Sequence, residues 1–144
     1  MVDHPTTAGK ASIDAATAKP LTIKQVFAKL PAQNVERARA FYREIFDLEP
    51  YSELNNHLHY EIDSGYFIIF PSSGTPSGTH DQLGFVVEDV EAAVTHLRSR
   101  GVKFERDGIT DFGPVKAAWL HDSEGNLISI GQFTHGTPFT RPAA

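Results

Sequence analysis

The sequence predicts an α+β fold: two tandem β-α-β-β-β modules forming a curved mixed sheet with a central cavity and helices on the outer face. Three observations carry this prediction. "NVERA" at 34–38 is matched by "DVEAA" at 89–93, helix cap for helix cap and apolar stripe for apolar stripe. "DSGYFIIF" at 63–70 is matched by "DSEGNLISI" at 122–130, with one extra turn residue. The order of strand and helix patterns then runs the same way twice, which marks a duplicated supersecondary unit.

The first module is placed at 21–71. Residues 22–30 carry Ile23, Val26, Ala28 and Leu30 at strand-like spacing. Asn34 has the chemistry of an N-cap, and Glu36 lies in the first turn, where the helix dipole favours an acid. Val35, Ala38, Phe41, Tyr42 and Ile45 fall on one helical face. "EPYSEL" is a weaker strand, and "HLHYEID" with "YFIIF" reads as a hairpin around Ser64-Gly65. The Pro/Ser/Gly-rich run "PSSGTPSGT" sets a linker at 72–80.

The second module is placed at 81–133. "QLGFVV" is its first strand and Asp89 its N-cap; Val90, Ala93, Val94 and Leu97 form the buried stripe, and Gly101 ends the helix. "VKF", "VKAAWLH" and "NLISIGQF" supply three strands, and "GITDFGPV" reads as a loop. Three strands after the second helix disfavour a ferredoxin-like β-α-β-β-α-β plait, which needs one. Residues 1–20, rich in Ala, Thr and Pro without an apolar run, read as a flexible tail, and 134–144 as a second tail.

Composition narrows the function classes. A net charge of -5 without a Lys/Arg cluster argues against nucleic-acid binding. No apolar run is long enough to span a bilayer. The lack of cysteine removes thiolate metal sites and a cysteine nucleophile, and it fits a cytoplasmic location.

The modules resemble the vicinal oxygen chelate superfamily, which includes glyoxalases, extradiol dioxygenases, fosfomycin-resistance enzymes and bleomycin-binding proteins. The resemblance spans about 22–133 and is carried by "NVERARAFYREIFDLEP" and "DSEGNLISI". The latter is similar to the family's Asp-Pro-Asp-Gly-Asn turn but has Ser123 and Glu124 in place of its second and third residues. In the family's metal enzymes, ligands come from the first and last strands of each module. Counting from the matching motifs puts Phe27, Ile69, Gln82 and Ser129 at those positions. None is a carboxylate or an imidazole, so the expectation is a branch without the usual metal and without a cofactor.

Alternation predicts the cavity wall. If Val26, Ala28 and Leu30 face the helix, then Gln25, Phe27 and Lys29 face inward. Leu58, Tyr60 and Ile62 would enter the core, leaving His57, His59 and Glu61 on the wall with Phe67 and Ile69. His80, Gln82, Trp119, His121 and Ser129 complete the predicted ligand-binding set. An edge strand with a wet face is the first explanation of "HLHYE", ahead of a pocket wall and of a relocated metal site. Its neighbouring same-face side chains lie about 7 Å apart, wide for two ligands of one ion.

The leading expectation is a metal-independent small-molecule-binding protein that holds a planar or amphipathic compound in grooves between two subunits. The alternative is a glyoxalase-like lyase or isomerase, with His57, His59 and Glu61 serving as general base or relocated metal site.

Overall fold

The computed structural model describes residues 21–63 and 65–135. The predicted N-terminal tail, Ser64 of the hairpin turn and residues 136–144 of the predicted C-terminal tail lie outside them. The first module runs β1 (Ala28–Ala32), α1 (Val35–Phe46), β2 (Ser52–Leu54), β3 (His57–Ile62) and β4 (Gly65–Pro71). The second runs β5 (Asp81–Val86), α2 (Val90–Ser99), a 3-10 turn (Glu105–Asp107), β6 (Thr110–Asp111), β7 (Val115–His121) and β8 (Leu127–Phe133). Each module makes its own four-stranded mixed sheet, in the order β1-β4-β3-β2 and β5-β8-β7-β6. The first and last long strands of each module pair in parallel, β1 with β4 and β5 with β8. The remaining pairs are antiparallel.

The repeated caps act as their chemistry dictates. The Asn34 side chain accepts from the Arg37 N–H at 2.9 Å, and Asp89 accepts from Ala92 at 3.0 Å. Gly101 takes φ 90° past the end of α2, and the Val102 N–H then reaches back to the Leu97 carbonyl. α1 is closed from the other module: the Arg100 guanidinium donates to the carbonyls of Glu44 and Ile45 and pairs with Asp47. A cation there meets the negative end of the helix dipole.

Two predicted strands are corrected. The stretch 22–30 does not form a strand from its start; pairing begins at Ala28, and Leu21, Ile23 and Val26 are exposed. Val26 is therefore not on the helix side. "VKF" forms no strand, and the module's outermost strand is instead Thr110–Asp111, inside the predicted loop. A tight reversal decides this. Gly113 at φ 91° donates to the Asp111 carboxylate, and the Phe112 N–H bonds the Val115 carbonyl, so Thr110–Asp111 folds onto β7 directly.

The core is continuous across both modules. Leu30, Leu58, Tyr60, Phe67 and Ile69 pack with Tyr42 of α1 and run on to Val90, Val94, Leu97, Ile128 and Ile130. Tyr60 stacks flat on Phe67 at 4.5 Å, and Phe85 of the second module meets Phe46 at 5.0 Å and Phe67 at 6.1 Å.

The polar link between modules is the buried Asp122. One carboxylate oxygen accepts the backbone N–H groups of Glu124 and Asn126; the other accepts the Tyr42 hydroxyl at 2.7 Å and the Asn126 amide. Asn126 also donates to the Pro31 carbonyl of β1. Glu124 grips α1 a turn away, accepting from the Asn34 N–H and bidentately from Arg37. Burial pushes its carboxyl pKa up, but the bonds from Arg37, Ser123 and Asn34 outweigh this and hold it below the ordinary value.

Burial first, and then the Asp122 charge, raises the Tyr42 hydroxyl well above its ordinary pKa of 10.0; burial pushes Tyr60 up to about 12. Below pH 10 both hydroxyls keep their protons folded or unfolded, so their contribution is complete there. Above it the unfolded chain ionises first and stability falls. Tyr42→Phe should cost about 1–3 kcal/mol, because a buried carboxylate loses a donor. Urea unfolding should show that cost at pH 7, together with a shallower loss of stability above pH 10 than in the parent chain.

Candidate functional site

The helices cover one face of each sheet, and the other faces carry the candidate site residues. In β3 and β4 the pairs Leu58–Ile69 and Tyr60–Phe67 point into the core, while His59–Ile68 and Glu61–Tyr66 point away from it. This corrects two predicted wall residues. Ile69 belongs to the core, and Phe67, 3% exposed, is a core residue touched only from the floor of a recess. The wall positions are Tyr66, Ile68 and Phe70. The hairpin itself carried the signal: a two-residue loop after Ile62 pairs odd-numbered residues of β3 with even-numbered residues of β4.

The first face has an aromatic floor with basic neighbours. Lys29 Nζ sits 4.8 Å from the centre of the Phe70 ring, and His57 stacks on Phe70 at 6.4 Å. His57 Nδ1 bonds the Asn55 carbonyl, Tyr66 donates to Glu61 at 3.1 Å, and Tyr51 packs on His59 at 6.2 Å. Among the described residues no hydrogen bond joins His57 or His59 to Glu61, and the His59 ring meets Tyr51. A recess of about 230 Å³ opens beside them, lined by Gln25, Phe27, Tyr51, His59, Tyr66 and Ile68. Gln25 and Phe27 thus reach the predicted wall from the segment before β1.

The second face is built by β7 and β8. Ala118 and Leu120 enter the core, so Trp119 and His121 face away from it, with Ser129 opposite Trp119. The Trp119 indole N–H donates to Asp81 at 2.9 Å. His121 Nε2 lies 2.9 Å from the Gly78 carbonyl, and its Nδ1 lies 3.3 Å from Glu105. A second recess, about 340 Å³, is lined by Gly78, Thr79, Asp81, Glu105, Arg106, Trp119 and Leu127. Gly84 lies close against Ser129: a β-carbon there would stand 3.0 Å from the serine hydroxyl, which would have to turn aside.

His80 and Gln82 do not share a strand face as predicted. His80 precedes β5, near Ser77, and a bulge between Asp81 and Leu83 makes Gln82 the extra residue. Asp81, Glu105 and Arg106 were not anticipated, because their proximity to Trp119 comes from a loop and a bulge with no periodic signature. A third recess of about 270 Å³ lies where α1 ends against β5 and α2; its walls are mostly apolar, and only Asp47 and His96 are ionisable.

The parallel pairs fix which residues are equivalent between modules. Leu30 pairs with Ile69 and Phe85 with Ile130, so Ile68, not Ile69, is the counterpart of Ser129. The four positions marked for metal ligands by the resemblance therefore carry Phe27, Ile68, Gln82 and Ser129. This donor set does not fit a catalytic divalent ion, because phenyl and alkyl groups donate nothing. Among the described residues, no group of three or more His, Asp or Glu side chains is placed to hold a metal. No helix of the described residues is long and apolar enough to cross a membrane.

No curated protein matches the chain in sequence. Solved structures share its fold. An antibiotic binding protein, TnmS3 from Streptomyces sp. CB03234, is 21% identical with a TM-score of 0.67, covering 80% of this chain and 100% of its own. The fosfomycin resistance protein FosX from Listeria monocytogenes is 16% identical with a TM-score of 0.65, covering 79% and 96%. A lactoylglutathione lyase from Agrobacterium tumefaciens is 19% identical with a TM-score of 0.62, over the same shares. Residues 22–130 match the model of one family, and the chain belongs to it: the glyoxalase/bleomycin resistance protein/dioxygenase superfamily.

Proposed function

We propose that this protein binds a planar or amphipathic small molecule without a metal, and that binding, not turnover, is its activity. The observation that supports this most directly is the chemistry of the helix-free faces. Where metal ligands would stand there are Phe27, Ile68, Gln82 and Ser129, and beside them lie the rings of Tyr51, Tyr66, Phe70 and Trp119. Aromatic surface with a few polar groups holds flat compounds by stacking and orients them by hydrogen bonds. One solved neighbour is described as an antibiotic binding protein, which agrees with such a role.

The two recesses lie on different sheets, and each opens to the outside of the chain. A homodimer that sets the first face of one subunit against the second face of its partner would give two closed grooves. The first face presents Lys29, His57, His59 and Glu61, while the second presents Asp81, Glu105 and Arg106, so polar groups of both signs stand on each face to pair across the groove. The exposed apolar side chains of Leu21, Ile23, Val26 and Leu54 also call for a covering surface. The lyase or isomerase alternative is less well supported, because Glu61 is engaged by Tyr66 and not by a histidine.

Phe27→Ala should weaken binding of an aromatic ligand by about 1–3 kcal/mol, the scale of one lost aromatic contact. Calorimetric titration with an aromatic compound panel would measure it. If His59→Ala instead abolishes a chemical conversion and leaves ligand affinity intact, the protein is an enzyme. Elemental analysis of the purified protein should find no stoichiometric Zn, Ni, Fe or Mn. One equivalent would overturn the metal-free reading and turn attention to His57, His59 and His80. Light scattering at micromolar concentration should give about twice the monomer mass of 15.8 kDa; the monomer mass would remove the shared groove.

A further inference from the structure

The second recess already holds a cation, and the chain supplies it. The Arg106 guanidinium carbon lies 4.3 Å from the centre of the Trp119 ring, well within cation–π range. Arg106 is exposed and makes no ion pair with any described residue. The ring beneath it is prepared for positive charge. Its N–H donates to the Asp81 carboxylate, which raises electron density on the indole and places a negative charge at the rim. Phe112, half exposed, stands at 89° to Trp119 with its centre 6.1 Å away and holds the indole by an edge-on contact. Glu105, steadied by His121, adds another carboxylate to the lining. One indole face with two carboxylates beside it makes a site for a flat or quaternary cation.

The loop that delivers Arg106 is anchored at its flanks and strained at its tip. Phe104 packs under the Arg98 guanidinium, and Gly108, at φ 111°, lies so close to Arg98 that a β-carbon there would reach 2.8 Å from it. Between these anchors Arg106 and Asp107 both take left-handed conformations, at φ 54° and 58°, which side chains other than glycine adopt at a cost. The Gly108 N–H closes this turn on the Glu105 carbonyl at 3.0 Å, so the tip presents Arg106 to the Trp119 ring from a fixed backbone.

We propose that the Trp119 recess is a binding site for a cationic aromatic compound of the amidinium, guanidinium or quaternary ammonium class, and that Arg106 occupies it until such a group displaces it. This rests on the small-molecule-binding reading and gives it a ligand charge. Displacement moves only the Arg106 side chain and leaves Asp81 and Glu105 to face the incoming cation. A neutral ligand gains the stacking but not that charge, so the recess discriminates by charge as well as shape. A net charge of -5 favours the same class at longer range.

Trp119 is the only tryptophan, so its emission reports on this recess alone. The full chain is titrated with benzamidine hydrochloride, its neutral isostere benzamide, and phenyltrimethylammonium chloride. Arg106→Asn removes the internal cation with a residue that tolerates positive φ. Asp81→Asn removes the rim charge while keeping an oxygen for the indole N–H. The cations should bind about three- to tenfold more tightly than benzamide, in keeping with a partly exposed cation–π contact. Arg106→Asn should tighten cation binding several-fold and make ligand-free Trp119 more open to acrylamide quenching. Asp81→Asn should erase most of the preference for cations. Equal affinity for benzamidine and benzamide in the Arg106→Asn chain would overturn the cation assignment and leave the binding reading standing. Unchanged acrylamide quenching in Arg106→Asn would overturn the role of Arg106 as occupant. If none of the three probes perturbs Trp119 in either chain, the recess is not a ligand site, and the Phe27→Ala titration then decides the broader reading on the other face.

Discussion

A single carboxylate, Asp122, holds the two modules in one arrangement. It is buried where the turn before β8 meets α1, and it accepts four hydrogen bonds, two from its own turn, one from Asn126 and one from Tyr42 of the other module. A buried carboxylate is tolerated only when its acceptor sites are filled, so the turn, the helix and the strand below must arrive together. Asn126 extends the same arrangement to Pro31 in β1, and Glu124 clamps the N-terminal turn of α1. The apolar core supplies most of the burial, but it is this polar knot that specifies how the second module sits on the first.

That arrangement has a consequence for function. Because α1 and the turn before β8 are locked together, the helix-covered faces of both sheets are committed to one core. Their opposite faces are left free. Each free face is aromatic, but the companions differ: Lys29, His57, His59 and Glu61 on the first, Asp81, Glu105 and Arg106 on the second. The two surfaces are thus alike in their aromatic content and unlike in the polar groups that flank it. A ligand held between two copies of the chain would meet both.

The departures from the family's turn motif are explained by packing. Ser123 and Glu124 replace residues of the familiar pattern, and in this chain Glu124 takes up Arg37 while Ser123 donates to it. The substitutions at the metal positions have a different character. Phe27 and Ile68 build wall surface, and the tight fit of Gly84 against Ser129 closes the space between strands. Sites that held donors elsewhere in the family hold contact surface here, which is the physical basis for reading the pocket as a binder.

Much of the fold was legible in the sequence because it depends on local chemistry. Asn34 and Asp89 cap helices wherever they occur, Gly101 takes its positive φ without strain, and the apolar stripes of α1 and α2 have only one way to face a sheet. The repeat of these signals in the same order was enough to predict two modules. The face assignments of Trp119, His121, His57 and His59 followed from alternation alone. Phe67 and Ile69 did not, because a register is a relation between two strands, and a shift of one residue exchanges the faces. The bulge at Gln82 interrupts alternation for the same reason. Arg106 over Trp119, Asp81 on the indole N–H and Asp122 on Tyr42 lie 13 to 80 residues from their partners. Nothing local to those residues marks such meetings; they exist only once both sheets share a core and the loops have a fixed surface to close upon.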